Sequence, residues 1–164
     1  MRIRGLALLL AALSVAGCND VAGPIRDAVD EDPRNASVVL DAGYAGLFDR
    51  DVLVLELEDT DGTAPVDLLR VLLQSAKSVQ DREFDRVELH GPTGHVFSLP
   101  GSYFGTLGRE YDSQNPVYTM RSLPYELEGP DGGSEYFNTG GGLMGLGGQF
   151  EDFGDAMSRW AGLR

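Results

Sequence analysis

The chain has 164 residues, of which 26 are acidic and 13 are basic, and its formal net charge is −13. This charge argues against nucleic acid and anionic lipid headgroups as partners, because both bind to positive protein surfaces. A single cysteine excludes a disulfide framework and a thiolate metal site, so a hydrophobic core must hold together the one domain that this length predicts.

The amino-terminal stretch has the regions of a secretory signal peptide. Arg2 and Arg4 form a short basic region, and residues 5–14 are an apolar run too short to span a bilayer. Residues 15–18 read Val-Ala-Gly-Cys, a pattern that resembles the lipobox of bacterial lipoproteins. The resemblance implies cleavage between Gly17 and Cys18, a diacylglycerol on the Cys18 sulfur and an acyl group on the new amino terminus.

The resemblance also implies a location. A triacylated Cys18 keeps a protein on a membrane, because two or more acyl chains give a stable anchor whereas one gives only marginal binding. In bacterial lipoproteins an aspartate directly after the cysteine marks retention at the inner membrane, and this chain has Asn19 there. We therefore expect a lipid-anchored cell-envelope protein, on the outer membrane and facing the periplasm if the organism has two membranes.

Residues 18–34 are predicted to form a lipidated, disordered tether. Proline, glycine and acidic residues are frequent in this stretch and apolar residues are few. The tether would follow a signal peptide of residues 1–17 and precede a single globular domain of residues 35–164. At the start of that domain, residues 37–48 fit either a strand or a short helix.

Apolar periodicity predicts a strand and a helix next. Residues 51–58 form the clearest strand, and their first residues are apolar on both faces, as in a central strand. Residues 59–63 are typical of a turn, in which Thr63 or Asp61 can cap a helix over residues 65–78.

A hairpin, a short helix and a further strand are predicted to follow. Residues 84–90 and 95–100 alternate in polarity on either side of a tight turn, as in a β-hairpin. Ser102 is positioned to cap a short helix, and residues 117–123 predict a strand that Pro124 ends. The predicted sheet then has about four strands.

A glycine-rich tract at residues 139–148 precedes the last predicted element. After it, Phe150, Phe153, Met157 and Trp160 recur at helical spacing and predict a carboxy-terminal amphipathic helix. The order of elements predicts an α+β fold, in which helices pack against a small mixed β-sheet.

His90 and His95 flank the hairpin turn and are candidate metal ligands. If they pair across the strands, both imidazoles lie on one face at ligand distance, and Glu88 can add a carboxylate. A different register places Phe97 and Leu99 in the core and separates the two histidines. The sequence pattern leaves both registers open.

Asp59 and Asp61 form a second candidate cation site, because their spacing matches the first ligands of a calcium-binding loop. The helix–loop–helix calcium pattern requires a glutamate at its twelfth position, where this chain has Arg70. Ordinary turn and capping chemistry explains the same residues.

The glycine tract is a candidate binding loop. Gly140 and Gly142 belong to a match to the dinucleotide-binding fingerprint, but no convincing strand precedes it and no acidic ribose partner follows. With Tyr136 and Phe137 beside it, the tract is better explained as a connector or a binding loop that requires no nucleotide.

No catalytic residue is predicted. The glycines around Ser102 do not have the spacing of a nucleophile elbow, and the only two histidines lie in one hairpin. We therefore expect a protein that acts by binding, to an envelope protein partner or as an assembly subunit, with no cofactor besides the covalent lipid on Cys18. The alternative is a small-ligand or cation-binding lipoprotein, and a further alternative is a hydrolase with a non-standard site.

Overall fold

Four strands form one mixed sheet in the computed structural model, which describes residues 20–46, 50–60, 62–137 and 143–163. The strands are β1 (Val39–Tyr44), β2 (Val52–Asp59), β3 (Arg86–Gly91) and β4 (Gly94–Pro100). They lie side by side in chain order, and only the central pair, β2 and β3, is parallel. The central strand, the hairpin and the α+β fold class are thereby confirmed.

Helices cover one face of this sheet. They are α1 (Ala22–Asp30), α2 (Pro65–Ser78), α3 (Gly101–Arg109), α4 (Pro116–Ser122) and α5 (Leu143–Trp160). Alternate strand residues, such as Leu53 and Leu55 of β2, are buried in a single cluster with side chains of α1, α2, α3 and α5. Because alternate residues point to one face of a strand, these helices share that face. The opposite face is mostly polar and includes the exposed side chains of Asp41 and Glu56, with Val52 and Val54 at the start of β2 as its apolar part.

The bounds of α2 are those predicted, but the caps differ. Thr63 makes a hydrogen bond with the Ser37 hydroxyl (3.1 Å), and Ala64 occupies the N-cap position of α2. The other predicted cap, Asp61, lies outside the described residues. Ser102 lies in the first turn of α3, whose start has no side-chain cap.

The prediction of a disordered tether over residues 18–34 is wrong for the part that the structure describes. Val21, Ile25 and Val29 are spaced four residues apart on and just before α1, and all three are buried in the core. Farther on, the buried Asn35 donates hydrogen bonds to the Val29 carbonyl (2.9 Å) and to Gln74 Oε1 (2.6 Å). A short, acidic segment thus joins the core through one narrow apolar stripe.

The fourth strand of the sheet comes from an unexpected place. Residues 37–48, where strand and helix were left open, contain β1, whereas residues 117–123, predicted as a strand, belong to α4 and a 3₁₀ turn. Asn115 caps α4 by accepting a hydrogen bond from the Val117 N–H (3.0 Å), and Pro116 fits the first helical turn. The prediction took the Asn-Pro pair as a break, although it starts a helix.

Helix α5 is the predicted carboxy-terminal helix, but it begins inside the glycine tract, at Leu143. Its residues Phe153, Met157 and Trp160 are buried, as the helical spacing predicted, while Phe150 is 40% exposed. Within the described part of the chain, no helix is both long and apolar enough to cross a lipid bilayer.

Candidate metal centre

A β-bulge in the hairpin allows features of both predicted registers at once. Leu89 pairs with Phe97, and the next residue, His90, pairs with His95, so Val96 is an extra residue on β4. Phe97 therefore points into the core while both histidines lie on the polar face of the sheet. Bulges redirect side chains in this way, at the cost of one irregular step in the ladder.

Glu88, His90 and His95 converge on this polar face. Glu88 Oε2 lies 3.1 Å from His90 Nε2, and the two imidazole rings stack with their centroids 5.1 Å apart. One ligand atom from each of the three side chains can be chosen so that all lie within 4.8 Å of one another. All three residues are half-buried, so water and ions can reach them.

Helix α5 holds the hairpin at this point. The Trp160 indole N–H donates a hydrogen bond to the His90 carbonyl (3.0 Å). Gly91 follows His90, and a Cβ at its position would lie only 2.3 Å from the Trp160 carbonyl oxygen. The close approach of α5 to the end of β3 therefore requires glycine at position 91.

The hydrogen bonds of His95 determine which of its nitrogens is free. His95 Nε2 lies 3.0 Å from the Phe97 carbonyl oxygen and 3.0 Å from Ser98 Oγ. A carbonyl oxygen only accepts hydrogen bonds, so Nε2 carries the proton and Nδ1 keeps its lone pair in the neutral ring. A carbonyl that orients a histidine through its second nitrogen is a common feature of metal sites.

The same hydrogen bonds argue against Ser98 as a nucleophile. His95 Nε2 is close enough to Ser98 Oγ to suggest a serine–histidine pair, which the sequence analysis did not identify. However, a protonated Nε2 cannot take the hydroxyl proton, and Ser98 is only 5% exposed. The pair therefore has the geometry of a structural hydrogen bond.

Glu88 is held in its ionised form. Burial alone raises the pKa of this carboxyl group, but hydrogen bonds from His90 and Arg86 outweigh it and leave the pKa below its ordinary value. The Arg86 guanidinium donates to Glu88 Oε1 from Nε (3.2 Å) and Nη2 (2.7 Å). One carboxylate oxygen thus faces a cation while the other faces His90.

We predict a pH dependence from this lowered pKa. A lowered pKa in the folded state means that ionised Glu88 stabilises the fold at neutral pH, and that this stabilisation decreases as the pH falls below about 4. The difference in unfolding free energy between wild type and Glu88→Gln should therefore be largest at neutral pH and smaller at pH about 3. Urea unfolding at several pH values measures this difference in unfolding free energy. A difference that grows on acidification would contradict the lowered pKa of Glu88.

A shallow concavity of about 300 Å³ lies beside the cluster, lined by β1, β2 and His90. Glu56 pairs with His90 across β2 and β3, and Asp41 lies opposite Glu56 on β1. Both carboxylates line the concavity and are exposed. Asp41 is paired with Arg26 (2.8 Å), so cations are attracted toward the histidines mainly by the Glu56 carboxylate, most strongly at low ionic strength.

The second candidate cation site receives no support from the described residues. Asp59 is the exposed last residue of β2, and Asp61 lies outside the described part of the chain. Thr63, which would supply the next ligand of a calcium loop, is buried beside Ser37. This segment therefore joins a strand to a helix, as turn chemistry predicts.

The structure separates the two aromatic residues of the candidate binding loop. Tyr136 packs against Phe97, and its hydroxyl donates a hydrogen bond to Asp155 (2.7 Å), whereas Phe137 is 70% exposed. Burial raises the pKa of Tyr136, and the hydrogen bond to Asp155 raises it further. Gly140 and Gly142 lie outside the described residues, as do Gly17 and Cys18.

Comparison with protein-family models, with curated proteins and with solved structures found no match to this chain. Function is therefore inferred from the chemistry of the residues alone.

Proposed function

We propose that this chain is a lipid-anchored cell-envelope protein that binds a divalent transition-metal ion at the β3–β4 hairpin. The observation that supports it is the convergence of Glu88, His90 and His95 on one accessible face of the sheet. Two imidazoles and a carboxylate form a donor set typical of zinc and of other transition metals.

The anchor is proposed from the sequence. Val-Ala-Gly-Cys at residues 15–18 supports lipidation of Cys18, and Asn19 supports an outer-membrane location where two membranes exist. The exposed Glu56 carboxylate in the concavity beside the histidines suits the capture of cations, because it attracts them.

The distances support a transition metal, with a small adjustment. Ligand atoms bonded to one tetrahedral zinc ion lie about 3.3 Å apart, close to the 3.1 Å between Glu88 Oε2 and His90 Nε2. The three ligand atoms lie within 4.8 Å of one another, so zinc binding requires an approach of at most roughly 1.5 Å. Three protein ligands leave a fourth position for water or for a bound molecule.

Zinc titration of the purified full-length chain, prepared without a histidine tag, tests the proposal. We expect one zinc ion per chain by calorimetry. His95→Ala and His90→Ala should each weaken binding by roughly a hundredfold or more, because removing a direct ligand costs at least as much as removing its hydrogen-bond partner. Glu88→Gln should weaken binding similarly while it retains the shape of the side chain.

The matched control is Glu58→Gln. Glu58 is an exposed carboxylate at the end of β2, so its replacement removes the same charge without removing a ligand. Wild-type affinity in this control, with loss in the three ligand variants, would support the site. Equal zinc affinity in all of these chains, or no binding by wild type, would refute it.

A protein partner is the second candidate function. The observation that favours it is the exposure of apolar side chains on α2 and α4: Val66 is 50% exposed, Val117 46% and Tyr118 69%. Exposed aromatic residues of this kind are typical of interaction surfaces. These residues are not part of the zinc site, so zinc titration does not decide between the two candidates.

A further inference from the structure

One end of the sheet, which we call the sheet base, is the end at which β2 and β3 begin. Val52 and Arg86 are the first residues of these strands and lie side by side, and Pro100, the last residue of β4, pairs with Arg86. The hairpin turn after Gly91 lies at the opposite end of β3. The six residues of β3 therefore separate this turn from the sheet base by about 20 Å.

Asp20 is fixed at the sheet base. Its carbonyl accepts a hydrogen bond from Arg82 Nη2 (3.0 Å), and Arg82 belongs to the loop that leads into β3. Arg82 Nη1 also donates to the hydroxyl of Tyr44 (3.2 Å), the last residue of β1. Cys18 is two residues before Asp20, so acyl chains on its sulfur would enter a membrane close to this end of the domain.

Two surfaces adjoin Asp20, and they differ in charge. The first is the outer side of α1, which is acidic. Asp27, Asp30 and Glu31 are exposed there, whereas the guanidinium of Arg26 is already paired with a carboxylate. The phosphates of lipid headgroups are repelled by such a surface.

The second surface is the sheet base, which carries charges of both signs. A concavity of about 460 Å³ opens there, and its lining includes Arg82 and Arg109 together with Asp51, Glu83 and Asp85. The hydrogen bonds of Arg82 go to neutral oxygens, and within the described part of the chain no carboxylate forms a direct ion pair with it. Zwitterionic headgroups such as phosphatidylethanolamine combine a phosphate with an ammonium group, and the concavity offers a partner of opposite charge to each.

We propose that the domain stands on the bilayer with the sheet base among zwitterionic phospholipid headgroups and the β3–β4 hairpin at the far end. Arg82 and Arg109 contact headgroup phosphates, and the carboxylates beside them contact headgroup ammonium groups. The proposed metal centre then lies near the aqueous end of the sheet, where dissolved ions reach it without passing the headgroups. This orientation rests on the proposed lipidation of Cys18 and does not depend on metal binding.

Fluorescent labels on single introduced cysteines test the orientation, because acylation leaves no free thiol on Cys18. The variants are Glu83→Cys at the sheet base, Asp27→Cys on α1 and Thr93→Cys in the hairpin turn, and all three positions are exposed. The lipidated protein is placed in vesicles of phosphatidylethanolamine and phosphatidylcholine that carry a nitroxide quencher on a fraction of the headgroups. Quenching at Glu83→Cys should exceed that at Thr93→Cys by roughly threefold or more, because about 20 Å separates the two ends of the sheet. Strongest quenching at Asp27→Cys or Thr93→Cys, or equal quenching of all three labels, would overturn the orientation.

Palmitate labelling of the same samples separates this result from the anchor itself. Palmitoylated protein without preferential quenching at Glu83→Cys refutes the orientation alone. Protein without palmitate refutes the anchor, and the orientation with it.

Arg109→Gln, in the Glu83→Cys background, tests the contact with headgroup phosphates. Arg109 is exposed and hydrogen-bonds to Thr106 within its own helix, so its replacement leaves the attachment of Asp20 in place. Quenching at Glu83→Cys should fall by roughly twofold or more, because a basic side chain at the membrane surface is lost. The matched control is Arg26→Gln, which removes the same charge from α1 and should leave quenching unchanged. Equal quenching in these two variants would overturn the assignment of Arg109 to the headgroups.

Discussion

Replacement of Ile25 with alanine is expected to destabilise the fold by about 3 kcal/mol, the usual cost of truncating a fully buried aliphatic side chain. Ile25 has no exposed surface and lies on α1, which packs against α2 and β1. For a domain of this size the melting temperature should fall by roughly 10 °C. Urea unfolding followed by circular dichroism measures the change.

The control for Ile25→Ala is Arg26→Ala, on the exposed side of the same helix. Arg26 makes a surface ion pair with Asp41 (2.8 Å) in which both side chains are more than half exposed, so its loss should cost less than about 1 kcal/mol. If both variants are equally stable, α1 does not contribute to the folded unit and the tether prediction is restored. A selective loss in Ile25→Ala places residues 20–34 in the domain.

The elements that were predictable have a strong local pattern. β2 has apolar residues on both faces, and α2 has an apolar stripe along its whole length with Pro65 in its first turn. Both patterns are long enough to exclude competing structures, so the bounds of α2 and the central place of β2 were correct. The hairpin was predictable because two alternating segments flank a short turn.

The missed elements have weak patterns that depend on tertiary contacts. In α1, Ile25 and Val29 are separated by charged and small residues. Their narrow apolar stripe becomes buried only when α2 packs against it. In α4 only Thr119 is buried, so apolar periodicity could not identify the helix. Asn115 and Pro116 were the available signals, and a capping argument would have found them.

The candidate metal site could be predicted in part. The sequence pattern predicted that His90 and His95 flank one turn. Pairing of the two histidines and burial of Phe97 were then alternatives. A regular ladder forces that choice, because a shift of one residue moves every side chain to the other face. With the bulge at Val96, pairing of the histidines and burial of Phe97 occur together. A bulge of this kind has no clear signal in the sequence alone.

The position of α1 limits the distance between the folded domain and the proposed lipid anchor. Asp20, only two residues after Cys18, is already held at the domain surface, where its carbonyl accepts a hydrogen bond from Arg82 (3.0 Å). Two extended residues span at most about 7 Å. If Cys18 is acylated, the folded domain therefore lies against the lipid headgroups instead of standing away from them on a long tether.

Cys18→Ser should abolish membrane attachment. A serine hydroxyl cannot form the thioether on which the acyl chains depend, and without them an acidic protein has no favourable contact with anionic headgroups. We expect the variant to leave the detergent phase in phase partitioning, to lose palmitate labelling and to retain residues 1–17, whereas wild type is labelled and cleaved. Mass spectrometry of the purified chains measures the last two changes.

The matched control for Cys18→Ser is Asn19→Ser, which introduces the same residue one position later. Processing and labelling should match wild type in this control, because the thiol is unchanged. Detergent partitioning of Cys18→Ser equal to that of wild type would refute the anchor and the envelope location together. Since Cys18 is the only cysteine, no other thiol can take the lipid in its place, and the outcome depends on this one residue.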